Sequence, residues 1–209
     1  MLKVDYLASK NSFFLMKGEI YMIIRPKMIQ SIDNDMKTLG YETSCTIQTG
    51  TLLRTLAASK RNGSFLELGT GAGMSTAWIL DGMDEHSTLT SVDRNPKIQN
   101  IAKKYFNNDD RITFMTESVE SFMTEYSKEK YDFIFIDFYP GRLSNIDSII
   151  SSLQIGGLFI IDDLSIHPHL DDEESKKLTS LIHSLENRND LVLTKIDWST
   201  GILIATKII

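Results

Sequence analysis

The chain has 209 residues, 42% of them hydrophobic and 24% charged, and a formal net charge of −6 at pH 7; that acidic balance argues against a nucleic-acid partner, because phosphate binding needs a clustered positive surface. Lys103, Lys104, Lys128 and Lys130 are too scattered to supply one, and the single cysteine, Cys45, rules out an intrachain disulfide and reads as a small buried or loop residue. The first ten residues lack the apolar run of a signal peptide and stretches such as 20–24 are too short to span a bilayer, so a single-domain cytoplasmic protein without membrane contact is expected over 1–209.

In chain order, the first 25 residues show no strand pattern and are expected to add a short helix at most. Residues 26–39, stopped by Gly40, and residues 48–60, ahead of Gly63, read as two helices. Residues 1–62 are therefore expected to form an N-terminal helical cap on an α/β core of residues 63–209. Within that core, short runs rich in β-branched and aromatic residues alternate with amphipathic stretches of helical length, the pattern of repeated βα units. The spacing predicts strands over 64–68, 88–93, 111–116, 131–137, 158–162, 191–196 and 202–207. Pro96 suits a first helical turn, and Asp171 with Glu174 resembles a capping box. Residues 197–201 are too short for a parallel crossover, so the last two strands are expected to be antiparallel. The expected sheet is seven-stranded and mostly parallel, with one strand reversed and helices on both faces.

Residues 65–73, Phe-Leu-Glu-Leu-Gly-Thr-Gly-Ala-Gly, run a buried strand into a glycine-rich turn that opens a helix. Glycine permits both the tight turn and the close approach of a ligand, while free N–H groups at the helix start offer hydrogen bonds. The dinucleotide pattern G-x-G-x-x-G wants glycine where this chain has Met74, which weakens the reading as a nicotinamide-dependent oxidoreductase. Asp93 ends the next strand about twenty residues on, where a carboxylate accepts both hydroxyls of an adenosine ribose.

This turn, Glu67-x-Gly69-x-Gly71-x-Gly73 followed by Asp93, resembles the cofactor site of class I S-adenosylmethionine-dependent methyltransferases. Thr116-Glu117-Ser118, residues 131–137 and residues 156–163 extend the likeness through the third, fourth and fifth strands. From about Thr46 onward the chain is similar to the small O-methyltransferases of the catechol and caffeoyl-coenzyme A type. The resemblance implies a Rossmann-like core, S-adenosylmethionine as cofactor, a small-molecule acceptor methylated preferentially on a hydroxyl, and a homodimer formed through the cap. It places the cofactor on Glu67, Gly69, Thr70, Gly71, Gly73, Ser75, Asp93, Arg94, Glu117, Ser118 and Asp137. Glu67 and Gly69 would lie along the methionine, Asp93 on the ribose, and Glu117 with Ser118 along the adenine.

Ligands of an open parallel sheet gather beyond the carboxyl ends of its strands, which lie roughly 4.8 Å apart. Asp137 and the pair Asp162 and Asp163 are therefore expected to face one pocket. The similar O-methyltransferases hold Mg²⁺ at these positions, usually with Asn where this chain has Asp163, and an oxygen cluster suits Mg²⁺ or another divalent cation. The other reading leaves Asp137 on the cofactor's amino group and Asp163 as a loop cap. The catalytic Lys that the family carries three residues after Asp137 is replaced by Pro140. Arg142 stays protonated and suits an acidic acceptor better than proton abstraction. His167 and His169 are left as the acid/base candidates, and Asp137 is a further candidate catalytic residue. Phe13, Phe14, Tyr21, Phe138, Tyr139 and Trp198 either wall an acceptor site or pack in the core. No N-P-P-Y-like run follows Asp137, which lowers amide or exocyclic-amine methylation. Methylation of a small amine and cofactor binding without catalysis are the alternatives.

Overall fold

The computed structural model describes residues 11–16, 19–42, 45–126, 128–138, 146–165 and 172–209. It opens with a correction: β1 (Asn11–Met16) and β2 (Glu19–Ile24) form a two-stranded antiparallel sheet, in register from Asn11 opposite Ile24 to Met16 opposite Glu19. The short helix expected in the first 25 residues is absent from the described part of that segment. In sequence, two apolar runs with aromatic and β-branched residues flank Lys17-Gly18, which is a hairpin pattern rather than a helical one. The chain ahead of residue 63 thus holds a hairpin followed by two helices among its described residues.

Helix α1 (Ile29–Thr38) buries Ile29, Ile32 and Met36 on one face. It ends in a Schellman arrangement, with the Gly40 N–H donating to the Lys37 carbonyl and the Tyr41 N–H to the Met36 carbonyl. In α2 (Ile47–Ala58), Thr46 is the N-cap, its hydroxyl accepting the Thr49 N–H at 3.1 Å.

The core sheet contains β3 (Ser64–Leu68), β4 (Thr88–Val92), β5 (Ile112–Met115), β6 (Tyr131–Ile136), β7 (Leu153–Ile161), β8 (Leu191–Ile196) and β9 (Ile202–Lys207), in the order β5-β4-β3-β6-β7-β9-β8. All pairs are parallel except β7 with β9 and β8 with β9, so β9 is the one reversed strand, as the sequence led us to expect. Between them run α3 (Met74–Gly82), α4 (Pro96–Phe106), α5 (Val119–Glu125), α6 (Ile146–Ser151) and α7 (Asp172–Glu186). Pro96 occupies the first turn of α4 behind an Asn95 cap. Strand β7 starts earlier than expected, continuing back across Gly156 and Gly157 with a register shift against β6.

Alternation along the strands separates two cores. Phe65, Phe133, Phe135 and Ile160 face α1 to α4, whereas Leu66, Leu68, Ile134, Ile136 and Phe159 face α5 to α7. Sequential strands step outward from β3 to β5, and the chain then crosses back to β6 on the other side of β3. That reversal opens a crevice between the ends of β3 and β6, where open α/β sheets bind their ligands. No described helix is long and apolar enough to cross a membrane.

Candidate active site

Gly69, Gly71 and Gly73 all have positive φ, at 107°, 51° and 90°. Two of them also permit close packing that a side chain would block. A Cβ on Gly69 would stand 2.4 Å from the Asp137 carbonyl oxygen, and one on Gly73 would stand 2.8 Å from the Ala102 Cβ. The turn is tied to the end of β4: the Val92 carbonyl accepts the N–H groups of Gly69 at 2.8 Å and Thr70 at 3.2 Å. Asp93, the next residue, accepts the Gly71 N–H through Oδ2 at 2.7 Å and the Asn95 N–H through Oδ1 at 2.8 Å.

Over this turn lies a crevice of about 250 Å³, lined by Gly69, Val92, Asp93, Arg94, Ser118, Val119, Glu120 and Phe138. It brings together four of the residues that the resemblance assigned to the cofactor, namely Gly69, Asp93, Arg94 and Ser118. Ser118 also caps α5, accepting the Ser121 N–H at 3.1 Å. Sequence reasoning missed Val119 and Glu120, although a capping Ser just past a strand signals that the next two residues rim the same crevice. Phe138, read as either an acceptor wall or a core residue, packs against the core and also lines this crevice. Glu117, Thr70, Gly71, Gly73 and Ser75 do not line it.

Behind the turn, the chemistry is that of a scaffold. Glu67 is fully buried, and its carboxylate accepts the hydroxyls of Ser75 at 2.7 Å, Thr76 at 2.6 Å and Ser91 at 2.5 Å. Since the Ser91 hydroxyl donates to Glu67, it must accept from Thr70 at 2.6 Å, whose oxygen in turn accepts the Gln99 side-chain amide at 3.1 Å. The Gln99 carbonyl accepts the Thr116 hydroxyl at 2.6 Å, and that hydroxyl accepts the Lys103 ammonium at 2.7 Å. Every donor in this relay points toward Glu67. Burial nevertheless dominates and pushes the Glu67 carboxyl up to about 7.

Asp137 follows β6 directly. Burial, followed by the charges of Asp162 and Glu67, pushes its carboxyl up to about 8, against a hydrogen bond from Ser75. Asp162 is buried, with its pKa raised for the same first reason. Its Oδ1 accepts both the Thr200 hydroxyl and the Asp163 N–H, the latter at 2.8 Å, and the Thr49 hydroxyl also bonds to this carboxylate. Asp163 has a left-handed φ of 64°.

The cation site expected at Asp137, Asp162 and Asp163 does not fit this arrangement. Among the described residues no three His, Cys, Asp or Glu side chains form a metal-binding group. Asp162 instead spends its Oδ1 on two donors of the chain itself, the Thr200 hydroxyl and the Asp163 N–H. Arg142, His167, His169, Tyr139, Pro140 and Asp171 fall outside the described residues. Trp198 lies in the turn between β8 and β9 and is partly exposed.

The site thus combines a Rossmann-like sheet, a glycine turn at the reversal of its strand order and an acid that follows the second core strand. Residues 66–164 match the model of a methyltransferase domain family. Over 132 residues, 61% of the chain, it is 30% identical to a protein of Mycolicibacterium vanbaalenii provisionally named an O-methyltransferase, and covers 58% of it. A protein of Mycobacterium sp. strain KMS with the same name is 37% identical over 95 residues, 44% of this chain and 43% of that protein. The chain thus spans less than two thirds of the length of these relatives. Among solved structures, the O-methyltransferase of Bacillus cereus in complex with S-adenosylhomocysteine superposes with a TM-score of 0.78, at 17% identity, over 88% of this chain and 92% of that one. TomG of Streptomyces achromogenes, an O-methyltransferase solved with S-adenosylmethionine, gives 0.74 at 15% identity over 87% and 90%.

Proposed function

We propose that the protein is an S-adenosylmethionine-dependent methyltransferase acting on a hydroxyl of a small molecule. The observation that carries this reading is the crevice at the reversal of strand order, which Gly69 and Asp93 both line. A side chain at Gly69 would collide with the Asp137 carbonyl, so glycine there keeps the ends of β3 and β6 close together at the crevice, the place where open α/β sheets bind nucleosides. The names of the Bacillus and Streptomyces structures and of the mycobacterial relatives support the same donor and acceptor chemistry.

Bound in this crevice, S-adenosylmethionine would supply an electrophilic methyl to the acceptor oxygen and would itself be left as the neutral thioether. The chain's own part is to hold the ribose through Asp93, to exclude water, and to align the oxygen with the methyl, so positioning carries much of the acceleration. We assign the acceptor's proton to Asp137, whose raised pKa makes it a stronger proton acceptor than an ordinary carboxylate.

Calorimetry tests the reading: S-adenosylhomocysteine should bind the wild type, and Asp93→Ala should weaken it by about tenfold to a hundredfold, the loss of charge-assisted bonds. Undiminished affinity in the variant overturns the ribose assignment. Transfer of labelled methyl from the sulfonium donor to hydroxyl rather than amine acceptors tests the choice of oxygen. Turnover should rise with pH to a plateau, with its midpoint at or below about 8 because the donor's positive charge favours ionised Asp137. Asp137→Asn should lower turnover by about a hundredfold or more with little change in S-adenosylhomocysteine affinity.

A further inference from the structure

A second cavity, of about 290 Å³, lies between α1, α2 and α3 on the cap side of the glycine turn. Its apolar wall is made by Ile29, Cys45, Ile47, Met74 and Trp78. It adjoins the proposed reaction centre: Met74 follows Gly73, and the charges of Asp137 and Asp162 are near enough to Cys45 to raise its thiol further after burial has done so.

Arg25 also lines this cavity, and its Nε is the one buried side-chain nitrogen or oxygen among the described residues that finds no hydrogen-bond partner. The other charges of the lining cancel, since Lys37 and Asp33 pair at 2.7 Å. The backbone at Arg25 is held in place from α2. Arg54 donates through Nη1 to the Ile24 carbonyl at 2.8 Å, while its guanidinium lies 5.2 Å from the centre of the Trp78 ring. Arg54 itself is paired with Asp81, which leaves Arg25 as the guanidinium available to a ligand. A guanidinium does not shed its proton, and a buried donor left unmet is a rarity that calls for a partner.

We propose that this cavity is the acceptor subsite and that it selects a carboxylic acid. The carboxylate pairs with Arg25, the apolar body lies against Trp78, Met74 and Ile29, and the hydroxyl to be methylated is carried at the other end of the molecule. The size is at the lower end of small-molecule sites, which suits a single-ring or short-chain acid. This inference rests on the methyltransferase reading, and its test separates the two. Protein saturated with S-adenosylhomocysteine is titrated with 4-hydroxybenzoate and with its methyl ester, for the wild type, Arg25→Gln and Arg25→Lys. The acid should bind the wild type at least tenfold more tightly than the ester. Arg25→Gln should remove that preference, Arg25→Lys should keep part of it, and S-adenosylhomocysteine affinity should stay unchanged in both. Equal binding of acid and ester to the wild type, or no binding of the acid, overturns the proposal without needing any variant. Failure of the wild type to bind S-adenosylhomocysteine overturns instead the reading on which it rests.

Discussion

Gln99 shows how much of the site's geometry is set by a side chain that never meets the ligand crevice. Its amide links Thr70 of the glycine turn to the carbonyl of Met115 at 2.9 Å and to Thr116, while Thr70 passes the chain of donors on to Ser91 and Glu67. Replacing it by Leu keeps much of the volume but strands buried polar groups on three elements. Gln99→Leu should therefore lower the unfolding free energy by about 2–4 kcal/mol in urea titrations. S-adenosylhomocysteine affinity should also fall, because Thr70 loses the bond that fixes the turn. Nothing in the sequence singled out Gln99: it sits in an amphipathic helix among Ile98, Ile101 and Ala102, and its partners come from three other parts of the chain. Asp93, Gly69 and Ser118 were legible because their chemistry belongs to a strand end, a turn and a cap, each of which leaves a local mark. Glu67 was legible as a motif residue but not in its surroundings, since three hydroxyls from α3 and β4 surround a carboxylate that the resemblance laid along the cofactor.

At the scale of elements, the start of α2 is laced to the turn between β8 and β9. Ser199, with a left-handed φ of 61°, bonds through its hydroxyl to Thr46 at 2.6 Å and Thr49 at 3.0 Å, and Thr49 and Thr200 both reach Asp162. Ser199→Ala keeps the strained backbone and loses both hydroxyl contacts, so it should destabilise the fold by about 1–2 kcal/mol. Ser199→Gly loses the same contacts but relieves the backbone, and should be the milder variant in the same urea titration. The seven core strands were readable from alternation and from runs of Val, Ile and Phe, and even the direction of β9 followed from the shortness of its connection. The hairpin β1–β2 was not read, because each six-residue apolar run is ambiguous alone and becomes a strand signal only when the two are taken together across Lys17-Gly18. The lacing of α2 to the β8–β9 turn joins residues about 150 apart in sequence, which no local pattern reveals.

For the molecule as a whole, the raised carboxyls set the pH response. Glu67 and Asp137 titrate higher in the fold, at about 7 and about 8, than their ordinary values of 4.5 and 3.8. A carboxyl raised on folding contributes stability that is complete below its unfolded value and is lost as pH climbs through the folded one. Asp35, Asp84, Asp109 and Asp190 are lowered instead, by hydrogen bonds from lysine, arginine or backbone donors, and their contribution disappears as pH falls below the ordinary carboxylate range. The ligand-free protein should therefore have its highest melting temperature between about pH 4 and pH 7. Glu67→Gln should flatten the decline on the alkaline side, which a melting series across pH would show directly. Millimolar Mg²⁺ should leave that series unchanged, in line with the engagement of Asp162 by its own hydroxyl and amide donors.

The sheet order carries one more consequence, for the way the chain assembles. Strand β8 is synthesised before β9, yet β9 must lie between β8 and β7. Thr200 can bond to Asp162 only with β9 seated on β7, so the contacts around that carboxylate wait for residues 200–207 to be made.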